Sequence, residues 1–306
     1  MTIVQQTEKI SLSIVFLNYN RLVETRKTIE QVRPFLRGRP DIEIIAVDNG
    51  STDGTAEYLH KQGDIKVVAL SENRGIAGYN RGFELAGGRY ILVLDDDSSP
   101  ADLAGLERAI TLLDAGKDIG LISFHIENQD GTPQWSWHLP RCEAFSISPF
   151  FIGCGFMIRR ELFASIGWYP EDFFLYQNEI DVTFKIRLRS YELFYHPDCR
   201  VIHRGCPGSR PGWRRIFYPT RNTIWIIRRY YHGPQAAYMI FSRLIIGFLR
   251  AVYFREVLTY FRACIEGFSH PVEKEPVPRK IRQFCTPFFQ QNSLFHHIRS
   301  WNEQTS

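Results

Sequence analysis

The sequence lacks paired cysteines. It contains six cysteines, and no two of them stand in a C-x-x-C arrangement. Structural zinc sites and the disulfide frameworks of small secreted proteins depend on closely spaced cysteines, so neither is expected here. Reduced thiols, most of them buried, are expected instead.

Two membrane signals are also missing. The first ten residues do not combine a cationic start with an apolar run, so no secretory signal is expected. No stretch reaches the ~20 apolar residues that a membrane-spanning helix needs, and Arg243 interrupts the apolar run 236–249. The protein is therefore expected in the cytoplasm.

Acidic residues are scarce between residues 214 and 262. Nine arginines occur there against one acid, Glu256, among many aromatic and aliphatic residues. Two interpretations stay open. The segment forms amphipathic helices on an anionic membrane surface, where each cation contributes ~1 kcal/mol, or it forms helices whose basic face is simply solvated. Residues 214–306 are assigned to a basic, aromatic-rich helical region.

Carboxylates are concentrated after one apolar stretch. Tyr90–Leu94 is short, uncharged and rich in β-formers, which predicts a buried strand of a parallel sheet. Asp95, Asp96 and Asp97 follow at the strand end, where open α/β folds bind ligands. Carboxylates on one side of an extended chain suit Mg²⁺ or Mn²⁺ that is shared with a substrate phosphate.

Helix capping is the alternative explanation for these acids. Ser99, Pro100 and Asp102 fit an N-cap, a first-turn proline and an N3 acid. Capping does not require Asp95 or Asp96, and closely spaced like charges are costly without a cation. The sequence therefore favours a metal site over a cap for the acids next to the strand.

Three earlier apolar runs, 12–17, 42–47 and 67–70, also read as strands followed by loops and helices. Four strands alternating with helices predict an α/β fold with a mainly parallel sheet. The loop that begins at Asp48 offers a carboxylate and backbone donors, although ordinary turn chemistry is the favoured explanation of Asp48 and Asp53 taken alone. The loop 73–82 combines glycines with Arg74 at a helix start, which favours phosphate.

The second half of the chain adds three candidates. Glu179 and Asp181 lie near the start of a predicted amphipathic helix, where they either serve the helix dipole or accept a proton. His203 follows an apolar pair at a strand end and suits either a structural role or a metal site. The loop 205–212 is rich in glycine and is interpreted as a lid.

Taken in order, these segments resemble family 2 glycosyltransferases of the GT-A fold. The similar motifs are Leu17–Arg21, Val47–Asp53, Glu72–Gly75, Leu94–Ser98, Gly153–Glu161, Phe173–Asp181 and Val201–His203. They extend over about residues 12–230, and rhamnosyltransferase-like and galactofuranosyltransferase-like members are the most similar in character. The Q-x-x-R-W motif of processive synthases is absent, which suggests addition of one or a few sugars.

The resemblance implies a Rossmann-like catalytic domain at 1–213, with a nucleotide-sugar half at 1–100 and an acceptor half at 101–213, before the helical appendage. Asp97, the last residue of the DXD motif, and the later His203 would hold Mg²⁺ or Mn²⁺. Glu179 would be the catalytic base, with Asp181 as the second candidate. The implied donor-binding residues are Tyr19, Asn20, Arg21, Asp48, Asn73, Arg74, Gly75, Asp95 and Asp96.

The expected function is metal-dependent, inverting, non-processive transfer from a UDP-sugar or dTDP-sugar, with rhamnose among the candidate sugars. The expected acceptor is a cell-surface glycan or a lipid-linked precursor at the inner face of the cell membrane, to which the protein would attach peripherally. No nucleic acid partner is expected. A sugar nucleotidyltransferase and a non-catalytic scaffold with the same fold are the alternatives.

Overall fold

The computed structural model describes residues 10–205 and 211–305, with side chains described as far as residue 300. The chain divides by its internal contacts into two units. The first comprises Met1–Tyr169 with Ser190–Gly205, and the second comprises Pro170–Arg189 with Cys206–Ser306. The predicted boundary at residue 213, between the catalytic domain and the helical region, was placed from the order of the motifs. A division by internal contacts does not test it, so the boundary stays a prediction.

The first unit is built from strands and short helices. Its strands are β1 Leu12–Asn18, β2 Ile42–Asp48, β3 Lys66–Ala69, β4 Tyr90–Asp95, β5 Ser98–Pro100, β6 Ile119–Glu127, β7 Ser146–Ile147, β8 Gly155–Arg159 and β9 Glu192–His203. Its α-helices are α1 Leu22–Val32, α2 Thr55–His60, α3 Tyr79–Leu85, α4 Leu103–Ala115 and α5 Arg160–Ser165. Arg33–Leu36 and Gly75–Gly78 form 3₁₀ helices.

One sheet joins these strands in the order β3-β2-β1-β4-β8-β6-β9-β5, with β7 paired to β9. The first four strands in this order are parallel, whereas β8 runs antiparallel to both β4 and β6. The parallel part ends with Asn18, Asp48 and Asp95 near one edge, since Asn18 pairs with Asp48 and Leu17 with Asp95. The predicted α/β fold class is confirmed, and the polar strand ends converge as expected.

The centre of the sheet forms because β1, β2 and β4 are buried on both faces. Every residue of β2 is buried, and so are the first five of β4. Helices cover both sides of such a sheet, and each fully buried aliphatic or aromatic side chain contributes ~1.5–3 kcal/mol relative to exposure. This core fixes the strand ends, and the loops that carry the polar residues start from those fixed points.

The segment after the acidic triplet differs from the prediction. Ser99 does not cap a helix, because Ser98–Pro100 forms β5 and pairs antiparallel with β9. The cap of α4 is Asp102, whose side chain accepts from Gly105 N at 2.7 Å. The pairing of β5 places Ser98 opposite His203. An extra strand rather than a helix start thus brings the late histidine to the acidic turn.

Helices form the second unit. They are α6 Asn178–Leu188, α7 Gly212–Tyr230, α8 Gly233–Tyr253, α9 Val257–Ser269, α10 Arg279–Phe284, α11 Thr286–Gln291 and α12 Leu294–Thr305. The prediction of an amphipathic helix at α6 is wrong in one respect. Eight of its eleven residues are buried, including the ionisable Asp181 and Arg187. The Asp181 side chain therefore finds its partners inside the unit instead of facing water.

The helix α8 is long and apolar enough to cross a membrane by length and composition, with 33% of its most apolar window buried. A core helix passes the same test. Its inner residues pack in the unit, where Tyr260 of α9 donates to the Leu244 carbonyl at 2.7 Å and Gly247 contacts the Tyr260 ring. A small apolar cluster of Ile216, Ala251 and Tyr260 joins α7, α8 and α9.

Candidate functional site

Two loops at the polar edge of the sheet are tied to each other. Thr52 N donates to Asn20 Oδ1 at 2.7 Å, and Asn20 N donates to Ser51 Oγ at 3.0 Å. Leu22 N, at the start of α1, donates to Asp53 Oδ2 at 2.9 Å. Because Asn20 has a left-handed backbone (φ 52°), a conformation that asparagine tolerates, the loop after β1 turns towards the loop after β2. Neighbouring Tyr19 is partly exposed.

Asp48 lies at the end of β2, and one of its two carboxylate oxygens accepts a hydrogen bond from the described residues. Its Oδ2 accepts from Ser51 N at 3.1 Å. Its Oδ1 is buried and accepts no hydrogen bond from the described residues. A buried carboxylate oxygen without a donor is costly. The position therefore suits a ligand that brings an N–H group.

The loop after β3 is held beside Asp48 by amide side chains. Asn49 donates to Asn73 Oδ1 at 2.9 Å and to the Gly75 carbonyl at 3.0 Å, and it accepts from Arg74 N at 3.0 Å. Gly75 N donates to Asn73 Oδ1 at 2.8 Å. The predicted donor residues Asn73, Arg74 and Gly75 thus belong to one hydrogen-bonded network, although Asn49 at its centre was not among the candidates.

Two acids of the triplet after β4 share one protein cation. Arg21 Nη1 lies 2.6 Å from Asp96 Oδ1 and 2.9 Å from Asp97 Oδ2. Asp95 takes a different partner, since Tyr79 donates its hydroxyl to Asp95 Oδ1 at 3.2 Å and to the Leu94 carbonyl at 2.6 Å. One guanidinium therefore serves two carboxylates at the centre of the cluster.

Burial and charge shift the two carboxylates in opposite directions. Burial raises the pKa of Asp96 to about 8; Arg21 acts against this, whereas Asp97 and Asp95 add to it. Burial also acts to raise the pKa of Asp97, but His203 and Arg21 outweigh it and bring that pKa to about 2. Asp97 is thus ionised at neutral pH, whereas the Asp96 carboxyl group is mostly protonated.

His203 faces Asp97 with a nitrogen whose protonation is set by another residue. Its Nε2 lies 3.1 Å from Asp97 Oδ1, and its Nδ1 lies 2.9 Å from Gln134 Oε1. Gln134 must present its oxygen there, because its Nε2 donates to the His203 carbonyl at 3.1 Å and to Asn128 Oδ1 at 2.5 Å. Nδ1 is therefore the protonated nitrogen of the neutral ring, and Nε2 then turns a lone pair towards Asp97.

This arrangement fits a divalent cation. Without a metal, a protonated His203 can donate from Nε2 to the buried Asp97 Oδ1, and this is the contact that lowers the Asp97 pKa. With the neutral ring, an oxygen and a nitrogen lone pair face each other 3.1 Å apart. Two ligands at ~2.1 Å from one ion and at right angles to each other are ~3 Å apart, which matches their separation. The hydrogen bond from Nδ1 to an oxygen is also the usual support for a metal-binding histidine.

Asp95 and Cys154 offer further ligand atoms, which lie with one from His203 within 4.8 Å of one another. A thiolate suits softer metals than Mg²⁺ or Mn²⁺. Cys154 is buried, and its backbone carbonyl accepts a hydrogen bond from Ser98 Oγ at 3.1 Å. The neighbouring Gly155 is explained by packing, because a Cβ there would meet Ile126 Cδ1 at 2.5 Å.

Glu179 belongs to the second unit and follows an unusual turn. Tyr176 and Gln177 both have left-handed backbones, with φ of 67° and 68°. Non-glycine residues in this region cost of order 1–3 kcal/mol each and are common at functional sites. Asn222 of α7 holds the turn by donating to the Leu175 and Tyr176 carbonyls, both at 2.9 Å. Half-buried Glu179 then stands in the first turn of α6.

Asp181 has a different environment from Glu179. Its side chain is fully buried, with Arg229 Nη1 and the Tyr230 hydroxyl each 2.7 Å from Oδ1 and Lys185 Nζ 2.8 Å from Oδ2. Burial and then Asp181 raise the pKa of Tyr230 well above its usual value, so this hydroxyl stays a donor. The Asp181 carboxylate therefore contacts two cations and one hydroxyl group.

The structure brings the predicted first-unit residues together at one edge of the sheet, whereas Glu179 and Asp181 lie in the second unit. Two supporting residues were missed. Gln134 follows a turn-forming Asp-Gly-Thr-Pro segment, and Asn222 stands within the arginine-rich stretch, so neither carries a recognisable local signal. The predicted lid includes residues 206–210, which lie outside the described residues.

Curated relatives match part of the chain. A protein named for teichuronic acid biosynthesis, the glycosyltransferase TuaG of Bacillus subtilis (strain 168), is 32% identical over 161 residues, which are 49% of this chain and 62% of that protein. Glycosyltransferase AglE of Haloferax volcanii is 27% identical over 121 residues, 38% of this chain and 39% of that one. The chain thus spans less than two thirds of the length of these curated relatives.

Solved structures share the fold. Mannosyltransferase PcManGT from Pyrobaculum calidifontis, in complex with GDP-Man and Mn²⁺, superposes with a TM-score of 0.57 at 17% identity over 93% of this chain and 86% of that chain. Residues 1–349 of TarS from S. aureus, in complex with UDP-GlcNAc, give a TM-score of 0.60 at 15% identity over 95% of this chain and 87% of that chain. The predicted GT-A fold is confirmed.

Family membership follows from the extent of one match. The model of the family described as "Glycosyl transferase family 2" matches residues 13–181, a stretch that begins in β1 and ends in α6 and is more than half of the chain. It includes the acidic turn, the loops that surround Asp48, and Glu179. The chain belongs to glycosyl transferase family 2, as its motifs predicted.

Proposed function

We propose that this protein is a metal-dependent, inverting, non-processive glycosyltransferase that uses a UDP-sugar or dTDP-sugar. The observation that carries the proposal is the pair formed by Asp97 Oδ1 and His203 Nε2, 3.1 Å apart, at a sheet edge where three acids follow one strand. A nucleoside diphosphate with its divalent cation suits such a pair. The Mn²⁺ bound by PcManGT agrees with a divalent ion.

In this proposal Asp97 and His203 hold Mg²⁺ or Mn²⁺, which would stabilise the negative charge of the departing diphosphate. Asp48 Oδ1 accepts a hydrogen bond from the N–H of uracil or thymine. Asp95 serves the ribose. Tyr19, Asn20, Arg21, Asp96 and the loop Asn73–Gly75 complete the donor site.

Glu179 is proposed to take the proton from the acceptor hydroxyl. That oxygen forms the new bond to the anomeric carbon while the bond from this carbon to the diphosphate oxygen breaks. Attack from the side opposite the leaving group inverts the anomeric centre. Asp181 is a weaker candidate for this role, because two cations and the Tyr230 hydroxyl already occupy it.

The acceptor is proposed to be a cell-surface glycan or its lipid-linked precursor. Support comes from TuaG and from a WfaP protein of Escherichia coli that is named as a glucosyltransferase acting on a diphosphoundecaprenol-linked sugar and is 34% identical over 89 residues. Rhamnose is one candidate for the transferred sugar. The cytoplasmic location, too, is a proposal.

A donor screen tests the assignment. Thermal unfolding is measured with UDP-, dTDP- and GDP-sugars, each with Mn²⁺, with Mg²⁺ and with EDTA, because ligands that bind the folded state raise its melting temperature. We expect a shift with one uridine or thymidine donor that EDTA abolishes. Release of the nucleoside diphosphate then identifies transfer or hydrolysis, whereas release of pyrophosphate from a nucleoside triphosphate would identify a nucleotidyltransferase.

Asp97→Ala should remove the metal-dependent shift without unfolding the protein. Asp64→Ala is the matched control, because Asp64 is a half-exposed acid of the same unit that pairs with Arg33 at 2.7 Å and is not a candidate site residue. Turnover that resists EDTA and survives Asp97→Ala would contradict the metal assignment.

A further inference from the structure

The outer surface of α8 and α9 carries nine large, exposed apolar side chains. Two of them, Tyr253 and Leu258, are about as exposed as surface residues become, at 81% and 80%. We call this surface the α8–α9 face; its members are Phe241, Phe248, Leu249, Val252, Tyr253, Leu258, Phe261, Ile265 and Phe268. Soluble proteins rarely expose so many large apolar groups together unless the patch binds something.

The spacing of these residues makes two helical stripes. In α8 they stand at intervals of seven, eight, eleven and twelve residues from Phe241, and in α9 at three, seven and ten from Leu258. Such intervals place side chains along one face of a helix. The buried residues of the same helices, among them Gly247 and Tyr260, lie on the other side.

The two stripes meet and form one surface. The rings of Phe248 and Phe261 have centroids 6.3 Å apart, and both side chains are at least 40% exposed. Gly247 permits this approach, because a Cβ at that position would lie 3.0 Å from the Tyr260 ring. The face is therefore a continuous apolar surface across a helical hairpin, and packing within the second unit leaves it uncovered.

Cations surround this face without acids to balance them. Arg250, Arg255 and Arg262 are exposed, and none of them forms an ion pair with a described residue. The only acids of the hairpin are Glu256 and Glu266, and Glu266 is engaged by Arg221 at 2.7 Å. The electrostatic character of the surface is therefore positive.

We propose that the α8–α9 face docks on an anionic lipid bilayer, with the apolar side chains in the interface and the three arginines at the headgroups. A bilayer satisfies both features, because it accepts apolar groups and presents negative charge. A second copy of the chain fits less well, since a symmetric contact would bring the same arginines towards one another. The proposal does not depend on the transfer reaction.

Docking also agrees better with the structure than a membrane span through α8. Arg243 lies in the middle of this helix, fully buried against α7 and α9. An arginine at the centre of a bilayer is unfavourable, and here it is sheltered inside the unit. The hairpin therefore lies along the interface and does not cross it.

The test is co-sedimentation of the full chain with vesicles of phosphatidylglycerol and phosphatidylcholine, compared with phosphatidylcholine alone, at low and high salt. We expect binding to the anionic vesicles that weakens with salt, because charges are screened within ~8 Å at physiological ionic strength. Leu258→Asp with Ile265→Asp should weaken it at least about tenfold. Arg250→Gln, Arg255→Gln and Arg262→Gln together should weaken it about 100-fold at low salt.

Matched controls separate the face from general effects. Val23→Asp with Leu85→Asp places the same two charges on exposed apolar residues of α1 and α3, and Arg26→Gln, Arg37→Gln and Arg108→Gln lower the net charge equally on exposed residues of the first unit. Both controls should bind as the unmodified protein does. Unfolding curves must show that every variant is folded.

Three results would overturn the proposal: no binding of the unmodified protein to anionic vesicles, unchanged binding of the Leu258→Asp, Ile265→Asp variant, or equal losses in the controls. Sedimentation velocity without lipid addresses the second copy. If the aspartate variant converts a dimer to a monomer while vesicles are ignored, the face is a dimer interface. None of these measurements requires a donor sugar, so their failure leaves the transferase assignment untouched.

Discussion

The carboxylates of the two units are balanced in opposite ways. In the first unit, Asp96 and Asp97 share Arg21, and the further contact of Asp97 is a histidine nitrogen 3.1 Å from Oδ1. In the second unit, the single carboxylate of Asp181 contacts two cations and a tyrosine hydroxyl. Two carboxylates that share one arginine can accept a cationic ligand, whereas one carboxylate that contacts two cations holds helices together. The same residue type is thus proposed to bind a ligand in one unit and stabilises the packing of helices in the other.

Removing the Asp181 charge should produce the largest effect. Asp181→Asn leaves Arg229 and Lys185 without their counter-charge in a buried place, and loss of one partner from a buried pair costs ~3–5 kcal/mol of unfolding free energy. Urea denaturation measures it. Asp96→Asn is the matched control in the first unit, and it should be neutral or stabilising, because burial disfavours the Asp96 charge. Equal losses in the two variants would remove the contrast between the clusters.

The second prediction separates stability from turnover within α6. Glu179→Gln keeps the shape of the side chain but cannot accept a proton at neutral pH, so turnover should fall by ~10²-fold or more, while donor binding stays near normal. Its unfolding free energy should change by less than ~1 kcal/mol, as for loss of a helix-dipole contact. Steady-state kinetics and melting curves together are the measurement.

Asp181→Asn serves as the control for this pair. It should lower stability first and turnover only through the fraction of folded protein. Near-normal turnover in Glu179→Gln would exclude Glu179 as the base, and a collapse confined to a folded Asp181→Asn variant would transfer the role to Asp181.

The same contrast applies to buried arginines. Arg221 is paired with Glu266 at 2.7 Å, whereas Arg243 is fully buried in the same unit and no acid of the described residues contributes to its pKa, which burial lowers to about 10. Arg243→Met should therefore raise the unfolding free energy by ~1–3 kcal/mol, because it removes a poorly compensated charge and keeps the volume. Arg221→Met should lower it, because it leaves Glu266 and the Asn222 amide oxygen without this donor.

Thermal and urea unfolding of the two methionine variants provide the comparison. A loss of stability in Arg243→Met would show that this charge is compensated in solution by a group that the described residues do not include. The difference between the two variants is more reliable than either value alone, since both changes remove the same side chain from neighbouring helices.

The sequence predicted the elements of the site better than their contacts. The strand ends and the acidic turn follow from short apolar runs that stop at polar residues, so the amino-acid pattern alone locates Asp48, Asp95 and Asp97 at the sheet edge. Their protonation does not follow from that pattern, because it depends on Arg21, from the loop after β1, and on His203, which β5 brings near. The apparent cap at Ser99 failed because strand pairing with β9 outweighed a local helix signal.

Long-range support is the part that sequence patterns do not contain. Gln134 orients His203 across 69 positions, and Asn222 holds the turn before Glu179 across 46 and 47 positions. Neither spacing has a period that can be recognised. The buried character of α6 was missed for a similar reason, since the partners of Asp181 include Arg229 and Tyr230 of α7, about 50 positions away.

The smallest effect concerns the pH dependence of metal binding in the first unit. Because the pKa of Asp96 is raised to about 8, the carboxyl group is protonated in most of the protein molecules at neutral pH. A cation favours the ionised form, so binding must release that proton below about pH 8. Mn²⁺ affinity should therefore rise by up to ~10-fold per pH unit between about pH 6 and pH 8 and level off above.

Stability without metal should change in the opposite direction. A carboxyl group whose folded-state pKa is raised stabilises the fold below its unfolded value near 3.8, and this contribution is lost as the pH rises through about 8. Added Mn²⁺ should therefore raise the melting temperature more at about pH 8 than at about pH 6. Calorimetric titration and melting curves of the unmodified protein and of Asp96→Asn measure both trends. His203 is also ionisable and contacts Asp97, so the Asp96 part is the difference between the two proteins. Identical pH profiles of the two proteins would mean that Asp96 does not exchange a proton between pH 6 and pH 8. Arg21 would then outweigh burial and keep the Asp96 carboxylate ionised.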